Sequence, residues 1–419
     1  MWLVLKNFIY SSGKQYCMGN LSVGTIVIIF SLIVIGSYLF SILSNFIKVP
    51  SVLLLLIAGI VFRYLSDKYN WGLNIPEKIT AILGAVGLVM IVLEAGLDLR
   101  LGKSKIPLIR NSIFAAIFIF LLSVACISCV LIFWLHEVPI KCIVYAIPLS
   151  IMSSAIVIPS IQNLSETKKE FLIYEASFSD ILGILVFNYC LGSEIVTLHA
   201  MSGFFINIIF AIILSLLFSA LLFLIMARSP VTVKFFLIFA LLLLLYEGGE
   251  MLGLPALLVI LIFGLMMKNW DLLRIPYMNR WFPLEEVDEI NKYLQSITAE
   301  TSFLIRTFFF LIFGFSIDIK VIMHSEVLLI GSIIIAALVI ARFLYLKYLF
   351  KGSIYPEVIF IPRGLVTILL FYQIPDSFKL KSFNDGILFY IILGTTLIMM
   401  IGLLFYKNKS IDKSEVLKM

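Results

Sequence analysis

The chain has 419 residues, of which 62% are hydrophobic and only 13% are charged, and it includes 36 phenylalanines. A soluble protein carries roughly 25% charged residues. No water-soluble fold can bury so much apolar surface, so part of it must face lipid, and a soluble enzyme is excluded. The excess of 31 Lys and Arg over 25 Asp and Glu gives a net charge of +6. In a membrane protein that excess collects in cytoplasmic loops, so it does not indicate nucleic-acid binding.

About thirteen segments are long and apolar enough, or nearly so, to cross a membrane as helices of ~20 residues. Their hydrophobicity is continuous, which excludes a transmembrane β-barrel, whose strands alternate apolar and polar residues. We therefore predict an all-α membrane protein. The predicted spans lie near 21–44, 50–63, 79–97, 109–135, 140–163, 171–191, 203–227, 232–248, 254–268, 302–322, 326–349, 356–373 and 385–406.

Positive charges outside these spans are unevenly distributed. With the N-terminus placed outside, the inner connections and the tail at 407–419 carry about twice as many Lys and Arg as the outer ones. This predicts an outside N-terminus and a short cytoplasmic C-terminal tail. The longest inner connection, 269–301, is amphipathic and is expected to lie along the inner membrane interface. No signal peptide is recognised, and we expect the inner membrane of a bacterium.

No cofactor and no resident metal are expected. The five cysteines lie mostly in apolar segments, and the three histidines are far apart along the chain. The sequence also contains no HExxH motif, no GxGD pair and no Ser–His arrangement at membrane depth, so a membrane-embedded enzyme is not indicated.

Two predicted spans contain proline among small and polar residues near their centres. Proline removes a backbone donor, and in lipid such a break persists where the freed groups line a cavity or bind an ion. The two spans are an odd number of spans apart, so they cross in opposite directions, as in inverted-repeat transporters. A proline kink without function is the alternative for each. The residues concerned are Pro148, Ser153, Ser154 and Pro159 in span 140–163, and Pro362, Arg363 and Gly364 in span 356–373.

Span 171–191 carries two carboxylates, Glu175 and Asp180. An ionisable side chain at mid-membrane costs at least ~2.5–3.5 kcal/mol on insertion scales, so such groups are functional candidates. Glu175 and Ser179 share a helix face, whereas Asp180 turns about 100° away. Oxygen ligands suit a hard cation such as Na⁺, and an empty desolvated carboxylate takes a proton instead. Asp180 is therefore the candidate for holding a transient cation or a proton in turn.

Arginines in the spans need partners or access to water. Arg342 lies deep in span 326–349, and Glu175 is its expected partner, since breaking a buried pair costs about 3–5 kcal/mol. Snorkelling of Arg342 toward the inner interface is the alternative. Arg363 is expected to offset the carbonyl ends of the half-helices, or to act as a structural clamp. Arg306, near the inner end of span 302–322, is expected to snorkel.

Together these motifs resemble the monovalent cation:proton antiporter superfamily, and within it the sodium/hydrogen exchanger family, over nearly the whole chain. Residues 175–180 read E-A-S-F-S-D, similar to the exchanger pattern E-x-x-F-N-D. Arg342 resembles the arginine that pairs with that glutamate. Residues 362–364 are similar to the L-R-G of the second broken helix, and residues 153–157 resemble the S-T-A-I-V of the potassium-efflux branch.

The resemblance implies a thirteen-helix homodimer built from inverted repeats, with the two broken helices crossing beside Asp180. In this single transmembrane unit, a dimer domain would cover about 21–97 and 232–322. A mobile core domain would cover about 109–191 and 326–406, with a linker helix at 203–227. The core would shift as a rigid body against the dimer domain in an elevator movement.

Two departures from the family pattern affect the expected transport. Ser179 stands where relatives have Asn or Asp, and its hydroxyl supplies an oxygen ligand but no charge, so one-for-one, electroneutral exchange is expected. Ser153 and Ser154 replace the Thr-Asp of the sodium branch, which leaves the choice between Na⁺ and K⁺ open. Alternatives are an organic-anion symporter of the same architecture, such as a bile-acid-type carrier, and a scaffold that has lost transport.

Overall fold

The computed structural model describes residues 23–47, 50–69, 77–102, 105–161, 164–191, 209–210, 213–214, 216–218, 221, 235–251, 256–270, 284–350, 354–380 and 382–406. Over these residues all regular structure is helical, as the sequence predicts. The α-helices are α1 (Val23–Ile47), α2 (Ser51–Lys68), α3 (Glu77–Asp98), α4 (Ile106–Leu135), α5 (Pro139–Ser150), α6 (Ser154–Ser160), α7 (Glu166–Leu191), α8 (Phe235–Met251), α9 (Ala256–Lys268), α10 (Leu284–Ser316), α11 (Ile319–Ile322), α12 (Ser325–Tyr348), α13 (Leu365–Tyr372) and α14 (Gly386–Phe405). Short 3-10 turns at Glu357–Ile359 and Asp376–Phe378 lie on either side of α13.

Each predicted span that the structure describes contains a helix, but the spans at 140–163, 302–322 and 356–373 each include a non-helical stretch, at 151–153, 317–318 and 360–364. Span 203–227 lies almost wholly outside the described residues, and the tail at 407–419 lies outside them entirely. Several helical segments have the length and the apolar composition needed to cross a membrane. They are Ile106–Leu135, Pro139–Ser160, Asn291–Ser316, Ser325–Tyr348 and Gly386–Phe405. The protein is thus a multi-pass integral membrane protein.

The structure corrects the bounds predicted for the inner connection, 269–301. Helix α10 begins at Leu284, well before the predicted start of the span, and continues to Ser316. Polar contacts hold this extension against the end of α9, since Asn291 Nδ2 donates to Met267 O at 2.5 Å and Lys268 Nζ donates to Gln295 Oε1 at 3.0 Å. Part of the amphipathic pattern therefore reflects packing on a neighbouring helix.

Most helix contacts fall into two groups. In the scaffold group, α10 packs against α2 and α3, and α3 packs against α9. In the core group, α4 packs against α5, α7 and α12, and α12 packs against α14. The scaffold group lies in the segments expected to form the dimer domain, and the core group in those of the core domain. That division into moving parts stays a prediction.

Glycines permit the closest approaches inside the scaffold group. A Cβ atom at Gly96 on α3 would lie 2.7 Å from Leu261 O and 3.0 Å from the Cα of Gly264 on α9. A Cβ at Gly314 on α10 would overlap the backbone oxygen of Leu56 on α2. Within lipid, where apolar burial gives helices no reason to associate, such close backbone contact is a main source of packing energy.

Both proline-containing spans are interrupted, and the interruptions meet. Helix α5 ends at Ser150 and α6 begins at Ser154, while α13 begins at Leu365 after a non-helical segment at 360–364. The backbone N–H of Ser153 donates to Pro362 O at 3.0 Å, which joins the two breaks. Pro148 and Pro159 lie inside α5 and α6 rather than at the gap, so the first break falls between them. Gly183 on α7 leaves room for Ile151 of this break.

Changing Gly314 to alanine is expected to destabilise the protein. The added methyl group would have to displace the backbone of α2, and overpacking of this kind costs about 1–3 kcal/mol. The loss of stability is measured as a lower unfolding temperature of the purified protein in detergent, with size-exclusion chromatography to monitor unfolding. Gly36→Ala on α1 is the matched control, because a Cβ there has nothing within 4 Å. Equal unfolding temperatures for the two variants would contradict the close α2–α10 contact.

Candidate functional site

Asp180 lies on α7 beside the first break, with only 6% of its surface exposed. One oxygen, Oδ2, accepts hydrogen bonds from the backbone N–H of Ser154 at 3.2 Å and from Ser154 Oγ at 2.5 Å. The other oxygen, Oδ1, has no hydrogen-bond partner among the described residues. The carboxylate is therefore held in place on one side and left available on the other.

A small cavity opens beside Asp180, with about 20 Å³ of space for the centres of water molecules. A space of ≳10–15 Å³ measured this way holds a water molecule, so the cavity has room for about one water molecule or one small dehydrated cation. The polar side chains that line it are those of Ser154, Ser177 and Asp180. Its other walls are apolar, with residues of α3 and α9 facing residues of α7 and α13. The cavity thus lies between the core group and the scaffold group.

The other serines proposed from the sequence are placed differently. Ser179 Oγ accepts the backbone N–H of Met152 at 2.9 Å, and Ser179 lines a second cavity that Glu175 also lines. Its hydroxyl therefore holds the broken backbone on a side of α7 away from the Asp180 cavity. Ser153 is buried, and its Oγ has no hydrogen-bond partner within the described part of the chain. It lies against Gly364, where any side chain would overlap it.

Arg342 and Glu175 are brought together as a two-pronged ion pair. Nη1 of Arg342 lies 2.6 Å from Oε1 of Glu175, and Nη2 lies 2.9 Å from Oε2. Both side chains are 2% exposed. The third guanidinium nitrogen, Nε, donates to Glu357 O at 2.5 Å. Arg342 therefore ties α7 and α12 to the turn that precedes the second break, and it does not extend toward the membrane surface.

Arg363 binds carbonyl oxygens exposed by the breaks. Its Nε donates to Leu149 O, in the last turn of α5, at 2.6 Å, and its Nη1 donates to Ile361 O at 3.0 Å. Because the carbonyl end of a helix carries a partial negative charge, a buried guanidinium there is compensated. Thr395 on α14 accepts the backbone N–H of Arg363 at 3.2 Å, which fixes the segment to the core.

Arg306 does not snorkel as expected but pairs with Glu94 on α3. Its Nη1 lies 3.3 Å from Glu94 Oε2, and the two side chains are 18% and 16% exposed. The sequence interpretation missed this pair, although a carboxylate within the apolar span 79–97 was a usable signal. A second missed pair links Lys168 Nζ to Glu357 Oε1 at 2.9 Å.

No group of three His, Cys, Asp or Glu side chains that could hold a metal ion converges anywhere in the described ranges. Asp180 is the carboxylate that borders the cavity between the two helix groups. The arrangement suits transient binding of one charged guest by a single carboxylate and neighbouring hydroxyls.

Comparison with protein families matches nearly the whole chain. The model of a family described as "Sodium/hydrogen exchanger, transmembrane" matches residues 28–406. Sodium/hydrogen exchanger 9B2 of Bison bison bison is 30% identical over 208 residues, which are 46% of this chain and 37% of that protein. The chain thus aligns with well under half the length of this curated relative.

Two solved structures share the fold. The sodium proton antiporter MjNhaP1 of Methanocaldococcus jannaschii at pH 8 superposes with a TM-score of 0.66 at 20% sequence identity, over 92% of this chain and 96% of that one. A second structure of the same antiporter, from electron microscopy, gives a TM-score of 0.64 at 19% identity, over 93% and 100% of the two chains.

Removing either member of the Glu175–Arg342 pair is expected to destabilise the fold by about 3–5 kcal/mol, because a buried charge is left without its partner. Combining Glu175→Gln with Arg342→Gln should cost less than the sum of the two single changes. Thermal unfolding of the wild type, the two single variants and the double variant measures this coupling.

The exposed pair Arg63–Asp67, whose side chains are 37% and 64% exposed, is the control for that cycle. Such surface pairs contribute about 0–1 kcal/mol, so Arg63→Gln should leave the unfolding temperature nearly unchanged. Strict additivity of the Glu175 and Arg342 changes would contradict the buried pair.

Proposed function

Because the chain belongs to the transmembrane sodium/hydrogen exchanger family, we propose that it is a secondary antiporter that exchanges a monovalent cation, Na⁺ or K⁺, for a proton. Asp180 is the group that both guests occupy in turn. The observation that carries the proposal is this buried carboxylate, whose Oδ1 has no hydrogen-bond partner among the described residues, beside a cavity between the core and scaffold groups.

Competition at one carboxylate explains exchange in simple terms. An ionised carboxylate buried in an apolar cavity is unfavourable unless a cation neutralises it. A proton neutralises it equally well, and one guest excludes the other. If the core changes its access to the two sides only when Asp180 is neutralised, each cation moved in one direction returns a proton in the other.

We propose that this exchange is electroneutral, one cation for one proton. Asp180 has the same net charge with a proton bound as with a monovalent cation bound. The other buried charges of the core are committed to fixed partners, since Glu175 is paired with Arg342 and Arg363 holds carbonyl oxygens. Ser179 adds no charge. The loaded core would therefore carry the same charge in both directions.

For the movement itself we propose an elevator mechanism. The walls contributed by α3 and α9 are apolar, so the core can slide along them without breaking hydrogen bonds at that surface. The tight glycine contacts of α3 with α9 and of α2 with α10 keep the scaffold rigid.

We also propose that the protein forms a homodimer through the scaffold side and lies in a bacterial inner membrane. The asymmetry of Lys and Arg between the two sides predicts a cytoplasmic C-terminus.

Replacing Asp180 with asparagine is expected to abolish exchange. The amide can neither ionise nor carry the proton, so adding Na⁺, Li⁺ or K⁺ to proteoliposomes should release no protons at any pH. A pH-sensitive dye measures the flux. Asp67→Asn, at an exposed position on α2, is the matched control and should exchange like wild type. Normal exchange by Asp180→Asn would show that the site is misassigned.

The membrane potential is expected to leave the exchange rate nearly unchanged. Moving one net elementary charge across 100 mV is worth about 2.3 kcal/mol, so an electrogenic cycle would respond strongly. The measurement compares Na⁺-driven proton flux in proteoliposomes at zero potential and at a potential imposed with permeant thiocyanate. Protein-free liposomes correct for leakage. A rate that changes severalfold with the potential would contradict one-for-one exchange.

A further inference from the structure

Ser177 on α7 is buried, with 1% of its surface exposed, and the proposed site has so far made no use of it. Its hydroxyl has no hydrogen-bond partner among the residues that the structure describes. A serine inside a helix usually satisfies its hydroxyl at the carbonyl one turn earlier. Ser150 and Ser160 on the neighbouring half-helices do so, at 2.8 and 2.6 Å. Ser177 makes no such bond within the described structure.

Position on the helix brings Ser177 to Asp180. Residues three apart lie on the same face of a helix, one turn from each other. Both residues line the same small cavity, and each has an oxygen without a hydrogen-bond partner in the described part of the chain, Ser177 Oγ and Asp180 Oδ1. An unsatisfied polar atom is costly in an apolar interior. Two residues of one cavity that each hold such an atom are suited to a shared guest that binds oxygen.

We propose that Ser177 is a cation ligand that works together with Asp180 and helps to set cation affinity and selectivity. The proposal rests on the proposed cation exchange and adds a residue to it. The ligand oxygens would be Asp180 Oδ1, Ser177 Oγ and the lone pairs of Ser154 Oγ, whose proton is donated to Asp180 Oδ2. Ser177 thereby takes the part that the sequence interpretation gave to Ser179, whose hydroxyl is engaged by Met152 N.

Ser177→Ala separates this function from a structural one. If the hydroxyl serves only the cation, its removal should raise the KM for the transported cation about fivefold, the usual effect of losing one hydrogen-bond-strength contact. The maximal rate should stay within about twofold, because Asp180 is untouched. Proton release in proteoliposomes, titrated with Na⁺, Li⁺ and K⁺ in turn, gives KM and the selectivity ratios.

Thermal unfolding provides a second readout that a structural role would not reproduce. In cation-free choline buffer, Ser177→Ala should be at least as stable as wild type, since an unsatisfied buried hydroxyl is lost. Added Na⁺, Li⁺ or K⁺ should stabilise wild type in proportion to its affinity. The same additions should stabilise Ser177→Ala less.

Ser128→Ala is the matched control. Ser128 on α4 is also buried with an unpartnered hydroxyl in the described structure, but it does not line the Asp180 cavity. It should gain stability in the same way and keep the wild-type KM.

The outcomes distinguish the two proposals. Suppose that Asp180→Asn abolishes exchange, whereas Ser177→Ala keeps the wild-type KM, selectivity and stabilisation by cations. That result would overturn the role of Ser177 and leave the proposed function standing. An equal KM rise in Ser128→Ala would overturn that role as well. No response of wild type to any cation, or normal exchange by Asp180→Asn, would overturn the proposed function and this ligand with it.

Discussion

The crossing of two interrupted helices is the arrangement on which the rest of the site depends. In lipid an unsatisfied peptide group costs several kcal/mol, so a broken helix persists only if other groups bind its ends. Here the two breaks bind each other through Ser153 N and Pro362 O, and three side chains take further exposed groups. They are Arg363 on Leu149 O, Ser179 on Met152 N and Asp180 on Ser154 N. The candidate carboxylate is thus part of the structure that keeps the helices broken.

Two carboxylates on α7 have opposite surroundings. Glu175 has both oxygens bound by one guanidinium, so its charge is compensated within the core. Asp180 has one oxygen bound and one without a partner in the described structure, beside a cavity. Their roles follow from their neighbours rather than from their chemistry, since burial favours a charge only where a counter-charge or hydrogen bonds replace the lost water.

The apolar side of the cavity matters as much for the proposed cation binding and core movement as its polar side. Helices α3 and α9 contribute aliphatic side chains there and are held together by the contact of Gly96 with Gly264. The partly buried Glu94 on α3 is compensated by Arg306 within the scaffold. The side chains that α3 and α9 contribute to the cavity carry no hydrogen-bonding group, so they do not compete for a cation there. The polar chemistry is therefore confined to the proposed mobile side.

By itself the sequence determined the membrane class, the positions of most spans, the two interrupted helices and the candidate Asp180, because apolar length, proline and charge in lipid have local physical consequences. It also indicated the partner of Arg342, since a deeply buried guanidinium requires a carboxylate.

Only the tertiary structure decided the direction of each hydroxyl. Ser179 faces away from the Asp180 cavity while Ser177 lines it, and Arg306 pairs with Glu94 instead of snorkelling. These depend on how helices distant in sequence rotate against one another, and a pattern read along one helix does not contain that rotation. The start of α10 at Leu284 has the same cause, since an amphipathic segment packs on a neighbouring helix or on lipid headgroups according to what lies beside it.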